Sequence, residues 1–219
     1  MTATVLARLA QLRIIPVVEI EDAANAVPLA AALADAGLPV IELTLRTPAA
    51  LEAIERVAAE RPDVLVGAGT LLDPEMVRRA HAAGAQFGVS PGAHEASMAA
   101  AADLGLPFVP GAVTPSEILA ALNAGLTHLK FFPAGAYGGR TTLAALAGPF
   151  ASAGVRFMPT GGVTVDNAGE YLGLASVFAV GGTWVAPRAD VSAGRWDAIA
   201  DRAAAAVRLV SSLDKENGS

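Results

Sequence analysis

Cysteine is absent from the 219 residues, which removes disulfides, thiolate metal sites and cysteine nucleophiles together. Any chemistry must come from lysine, histidine, carboxylates or hydroxyls. Lysine is almost absent as well: of 15 basic residues only Lys130 and Lys215 are lysines, and the rest are arginine. Aromatics make up 5% of the chain and the net charge is −6, so the stacking platforms and basic face that nucleic acid requires are missing. No nucleic-acid partner is expected. The longest stretch without a charge, Tyr171 to Pro187, has 17 residues with Gly181 and Gly182 inside it. That falls short of the roughly 20 apolar residues a bilayer span needs, and no membrane segment is expected. The opening MTATVLARLAQLR reads as helix rather than as a secretory signal, which makes the expected location cytoplasmic.

What is abundant is alanine, with 50 of the 219 residues, within an apolar fraction of 53%. A chain of this size suits one cored domain with many short helices. One unit recurs: a short apolar run, a small-residue turn, an Ala-rich helical segment, then glycine and the next run. The runs are IIPVVEI (14–20), PVIELTL (39–45), VLVGAGT (64–70), AQFGVSP (85–91), PFVPGA (107–112), HLKFFPA (128–134), RFMPTGG (156–162) and VFAVGGT (177–183). Each reads as a buried strand. Thr47-Pro48, Asp73-Pro74 and Thr114-Pro115 predict helix starts, the last with a capping box in TPSE. Gly37, Gly84, Gly105, Gly125 and Gly154 predict helix ends. Leu51, Ile54 and Ala58 share one face of the helix after the second run, and Glu52 and Arg56 are spaced to pair on another. Eight such units predict a (β/α)₈ TIM barrel with an additional N-terminal helix before Ile14. An open doubly wound sheet is the rival, and IEDAAN after the first run lacks the phosphate-loop glycines that it favours. Residues 1–213 read as a single barrel domain and 214–219 as a polar tail.

In such a barrel the chemistry gathers at the C-terminal strand ends. Strand alternation in PVIELTLR points Val40, Glu42 and Thr44 inward and leaves Arg46 at the mouth. Glu42 is then either a functional carboxylate or a buried acid neutralised by a partner. Lys130 shares its parity with His128 and Phe132, and outside the tail it has no competing lysine, which favours an inward nucleophile over a surface side chain. An apolar interior favours the neutral amine, the form that attacks a carbonyl. Glu42 complements it, since an iminium forms and collapses only with proton transfer. PTGG (159–162) and GGT (181–183) end the last two strands, where barrels often bind phosphate through backbone N–H groups; each pair alone equally marks a tight turn. Thr70 ends VGAGT with a hydroxyl, and Pro91 ends the fourth strand in a rigid turn. Glu19 has inward parity and reads as a second acid or a solvated rim charge. His81, His94 and His128 have no ligand spacing, so no metal is expected.

VIELTLRTPAALEAI (40–54), VGAGTLLDPE (66–75), GVSPG (88–92), HLKFFPA (128–134), PTGGV (159–163) and GGTWVAP (181–187) together resemble the 2-keto-3-deoxy-6-phosphogluconate aldolases, including those that also act on 4-hydroxy-2-oxoglutarate. The resemblance runs through nearly the whole chain. It implies a homotrimeric barrel without metal or cofactor, acting on a small phosphorylated keto acid. By motif, Lys130 is the Schiff-base lysine and Glu42 moves protons. Arg46, Thr70 and Pro91 resemble the groups around the pyruvate carboxylate, and Phe132 the wall beside the lysine. Gly161, Gly162, Gly182 and Thr183 resemble the phosphate cradle, where the family commonly has serine in place of Thr183. Thr160 resembles the residue of the gluconate-type rather than the galactonate-type enzymes. A non-catalytic phosphosugar-binding barrel and a phosphosugar isomerase or epimerase are the alternatives.

Overall fold

A computed structural model describes residues 2–217. Eight strands and ten α-helices alternate among the described residues. In chain order they are α1 (Thr2–Leu12), β1 (Ile14–Val18), α2 (Ala26–Asp35), β2 (Val40–Thr44), α3 (Ala50–Glu60), β3 (Leu65–Gly69), α4 (Pro74–Ala82), β4 (Phe87–Val89) and α5 (Glu95–Asp103). There follow β5 (Phe108–Val109), α6 (Pro115–Asn123), β6 (His128–Phe131), α7 (Gly139–Ala147), β7 (Arg156–Pro159), α8 (Val165–Leu172), β8 (Val180–Gly182), α9 (Arg188–Ser192) and α10 (Trp196–Asn217).

Every strand falls within one of the eight runs read from sequence, and all pairings are parallel. Six strands form a curled sheet in the order β5-β4-β3-β2-β1-β8, and β6 pairs with β7. Single parallel bridges link the two groups: Gly111 to Lys130 on one side, Phe157 to Val177 and Thr160 to Gly181 on the other. Most strand residues are buried on both faces, because helices cover the outside and side chains fill the inside. Continuous apolar runs are the sequence trace of that double burial.

Helix boundaries follow local chemistry. Asp73 accepts a hydrogen bond from Met76 N at 2.8 Å with Pro74 behind it, and Thr114 and Glu117 form the expected capping box. Gly37, Gly84, Gly105, Gly125 and Gly154 all take positive φ where a helix stops. Thr47 departs from expectation. Its hydroxyl donates to Ile20 O, across to the loop after β1, so it caps nothing and α3 starts at Ala50 without a side-chain cap. Within α3, Arg56 pairs forward with Glu60 at 3.4 Å instead of back to Glu52. Helix α1 lies toward the N-terminal strand ends: Arg8 donates to Asp63 O just before β3, and Leu9 is buried. Residues 214–217 continue the backbone of α10, and 218–219 lie outside the described residues.

Candidate active site

Strand β2 carries Glu42 into the interior in register with Val17 of β1 and Gly67 of β3, and the residue has no solvent exposure. Lys130 arrives from β6 and is 6% exposed. Its Nζ lies 3.4 Å from Glu42 Oε1, a long charge-assisted contact across 88 residues of sequence. Glu42 Oε2 is buried with no hydrogen-bond partner among the described residues. Gly69 makes room for this carboxylate, since a Cβ there would overlap Glu42 Oε1. Both side chains enter the interior as strand alternation places them, and the missing side chain at Gly69 leaves the space that the carboxylate fills.

Lys130 opens into a cavity of about 270 Å³ at the C-terminal ends of the strands. Arg46, Thr70, Pro91, Phe132, Thr160, Gly161, Gly162, Gly182 and Thr183 also line it, so the candidates read from sequence meet there except Glu42 and Glu19, which are not part of the wall. Val17, Thr44 and Val163 line it too and were not singled out beforehand. Thr44 carried a signal, a hydroxyl two positions beyond Glu42 on the same face; it donates to Val18 O at 3.2 Å. Phe132 places its ring centroid 5.1 Å from Lys130 Nζ. Thr70 has φ 62°, a left-handed conformation that a β-branched residue rarely adopts. Strain of this kind persists where the surroundings enforce it, and here it sits on the cavity wall.

The loop after β7 is laid out for an anion. Gly161 and Gly162 have φ of 84° and 82°. Their carbonyls are engaged, Gly161 O by Gly135 N at 2.8 Å and Gly162 O by Asn167 Nδ2 at 3.0 Å. Their N–H groups make no hydrogen bond among the described residues. Two successive free donors beside a cavity form an anion-binding concavity. Thr160 is 5% exposed, with its hydroxyl 3.4 Å from Met158 O. Gly181 accommodates that hydroxyl, because a Cβ at 181 would overlap it, and Gly182 accommodates the ring of Trp184.

Glu19 lies at the mouth, paired with Arg46 at 3.1 Å and with Arg188. Among the described residues no group of three or more histidines and acids is arranged to hold a metal. His128 instead meets Phe178 edge to face at 4.9 Å, and burial, aided by Arg156, pushes its imidazole below the usual histidine range. His94 contacts Ser97 Oγ at 2.8 Å.

An amine with a carboxylate at its side, held dry at the C-terminal edge of a parallel sheet and opening toward free backbone donors, is what an enzyme that forms an imine with an anionic carbonyl substrate requires. The KDPG and KHG aldolase family model matches residues 5–202. The 2-dehydro-3-deoxy-phosphogluconate aldolase of Dickeya dadantii is 45% identical over 194 residues, covering 89% of this chain and 90% of that protein. A structure of KDPG aldolase from Legionella pneumophila, with pyruvate captured as a covalent carbinolamine intermediate, has a TM-score of 0.88 at 39% identity over 94% of this chain and 98% of that one. That of Zymomonas mobilis 2-keto-3-deoxy-6-phosphogluconate aldolase with 3-phosphoglycerate has a TM-score of 0.83 at 41% identity, covering 94% of each chain. The chain belongs to the KDPG and KHG aldolase family. It is a lyase, an aldolase of the Schiff-base type. No helix among the described residues is long and apolar enough to cross a membrane.

Proposed function

We propose that the protein cleaves 2-keto-3-deoxy-6-phosphogluconate to pyruvate and glyceraldehyde 3-phosphate, and accepts 4-hydroxy-2-oxoglutarate at the same site. The observation that carries this reading is the buried Lys130 Nζ at 3.4 Å from Glu42. Lys130, as the neutral amine, adds to carbon 2 of the keto acid to give a carbinolamine. Glu42 delivers the proton with which its hydroxyl leaves as water, and an iminium remains. Glu42, directly or through a water, then takes the proton of the carbon-4 hydroxyl. The bond between carbons 3 and 4 breaks, its electrons pass into the iminium as an enamine, and the aldehyde departs. Protonation at carbon 3 restores the iminium; water hydrolyses it, releasing pyruvate and the free amine.

Arg46, Thr70 and Pro91 hold the carboxylate end in this reading, and Phe132 walls the lysine. The phosphate takes the free N–H groups of Gly161 and Gly162, with Gly182 and the Thr183 hydroxyl completing the cradle. Thr160 reads the carbon-4 configuration and favours the gluconate-type substrate. The reaction calls for neither metal nor cofactor. The reading includes a closed (β/α)₈ barrel over 1–213 with α1 as an additional N-terminal helix, supported by the single bridges that join β6 and β7 to the six-stranded sheet on both sides. It also includes a homotrimer, to be checked by light scattering, and a cytoplasmic location, since a phosphorylated keto acid does not cross a bilayer unaided.

Mass spectrometry after incubation with pyruvate and borohydride is the test. One reduced adduct per chain at Lys130 is expected, and none in Lys130→Arg, because guanidinium stays protonated. A label on Lys215 alone, or turnover with no label, would overturn the Schiff-base assignment to Lys130.

A further inference from the structure

The mouth of the cavity carries an ion network that the reaction as described leaves unused. Glu19 Oε2 lies 3.1 Å from Arg46 Nη1 in an ion pair, and Glu19 Oε1 accepts a hydrogen bond from Arg188 Nη1 at 2.5 Å. Arg188 Nη2 pairs in turn with Glu21. These groups follow three different strands, β1, β2 and β8, that are neighbours in the sheet. Glu19, Arg46 and Arg188 line a second cavity of about 250 Å³, which adjoins the first through Val17, Thr44, Arg46 and Thr183. Glu21 lines neither.

The side chain of Arg46 is 61% exposed, so its guanidinium wanders unless something holds it. Glu19, at 18% exposure, is the better anchored partner. It occupies one nitrogen of the fork, and the remaining N–H groups stay available for a planar carboxylate. A carboxylate beside an anion site also repels the incoming anion. Here Arg188, which is shared with Glu21, meets the other oxygen of Glu19, so the hold on Arg46 persists while part of the repulsion is offset.

We propose that Glu19 is a positioning residue for Arg46, fixing its guanidinium over the cavity to receive the keto acid carboxylate, and that Arg188, shared with Glu21, offsets part of the repulsion between Glu19 and that ligand. The proposal rests on the reading of Arg46 as the carboxylate-binding residue of the aldolase site.

The experiment titrates pyruvate against the borohydride-trapped label on Lys130 in the full-length protein. Glu19→Gln should raise the half-saturating pyruvate concentration about 5- to 10-fold, in the range of coupling between contacting charged residues, and leave the saturating label at one per chain. Arg188→Ala, which leaves Glu19 uncompensated, should raise it as well. In an Arg46→Ala background, itself weaker for pyruvate, Glu19→Gln should change nothing further, whereas a general structural role would act equally in both backgrounds. An unchanged or lower half-saturation in Glu19→Gln, or the same increase without Arg46, overturns the proposal while the aldolase site stands. Absence of any label in the unaltered protein overturns the Lys130 reading and this proposal with it.

Discussion

A carboxylate sealed from solvent, with one oxygen facing an amine and the other facing no donor among the described residues, costs stability, and such a cost is kept where the group has a proton to move. Glu42 is such a group. Glu42→Gln keeps its volume and its contact with Lys130 but cannot shuttle a proton, so kcat should fall roughly 10²- to 10⁴-fold with the fold intact. Steady-state turnover, together with exchange of pyruvate methyl protons into solvent, checks it; near-normal values for both would move the role elsewhere. The phosphate end is best probed at Thr183, not at its glycines. Gly162 needs its φ of 82° and would bring a Cβ to 3.1 Å from Gly135 Cα, and Gly182 is required by Trp184. Substitution there disturbs the chain before any ligand arrives. Thr183→Val removes one hydroxyl at near-constant volume. It should cost about tenfold or more in kcat/KM on the phosphorylated substrate, as for a charge-assisted hydrogen bond. Activity on 4-hydroxy-2-oxoglutarate should stay within about twofold. Equal losses on both would remove Thr183 from the cradle. Glu42 and Lys130 were legible from strand parity because side-chain direction alternates with the pleat, between the barrel interior and the helix layer. The reasons for Gly69 and Gly182 were not, because each answers to a side chain that only the folded sheet brings near.

Helix starts show the same division at the scale of elements. The sequence TPSE at the head of α6 contains both halves of its own cap, and the structure uses them. Glu117 Oε2 accepts from Val113 N and Thr114 N at 2.9 Å each and from the Thr114 hydroxyl at 2.8 Å. Burial pushes the Glu117 carboxyl upward, and these donors outweigh it and hold the group below the ordinary glutamate range. Glu117→Ala frees the donors and should cost about 1 kcal/mol, the usual worth of a cap, read from the midpoint of urea unfolding. An unshifted midpoint would mean that water replaces the carboxylate at no loss. Thr47-Pro48 has equally good local credentials, yet the Thr47 hydroxyl goes to Ile20 O in another loop. A hydroxyl is a donor as well as an acceptor, and a distant carbonyl is invisible to a local pattern.

Eight repeats announced the barrel-like order of the whole molecule, because each strand-helix unit needs neighbours to bury both faces of its strand. The seam was not legible: β5 is only Phe108–Val109, and β6 meets it through Gly111, beyond the strand's end. Nor was the closing arrangement of α9 and α10, where two partly exposed guanidiniums meet a buried carboxylate. Asp190 is buried, with Arg195 on Oδ1 and Arg202 on Oδ2. The hydrogen bond from Arg195, and Arg202 after it, hold the Asp190 carboxyl below the usual carboxylate range against the opposing effect of burial. A carboxyl depressed in the folded state stabilises the fold above its unfolded pKa of about 3.9, and that stability drains away as the pH falls toward the folded value. His128, depressed by burial, acts with the same sign at higher pH: the unfolded imidazole binds a proton from about 6.5 downward while the folded one stays neutral, so acid again favours unfolding. Thermal stability should therefore decline in two stages, one beginning near pH 6.5 and one near pH 4. Asp190→Asn should be less stable than the parent at pH 7, because two guanidiniums lose their anion, and should lose less on going from pH 5 to pH 3. Melting temperatures across that interval decide it. If the two curves run parallel there, Asp190 does not contribute to the acid limb, and the second stage belongs to other carboxylates.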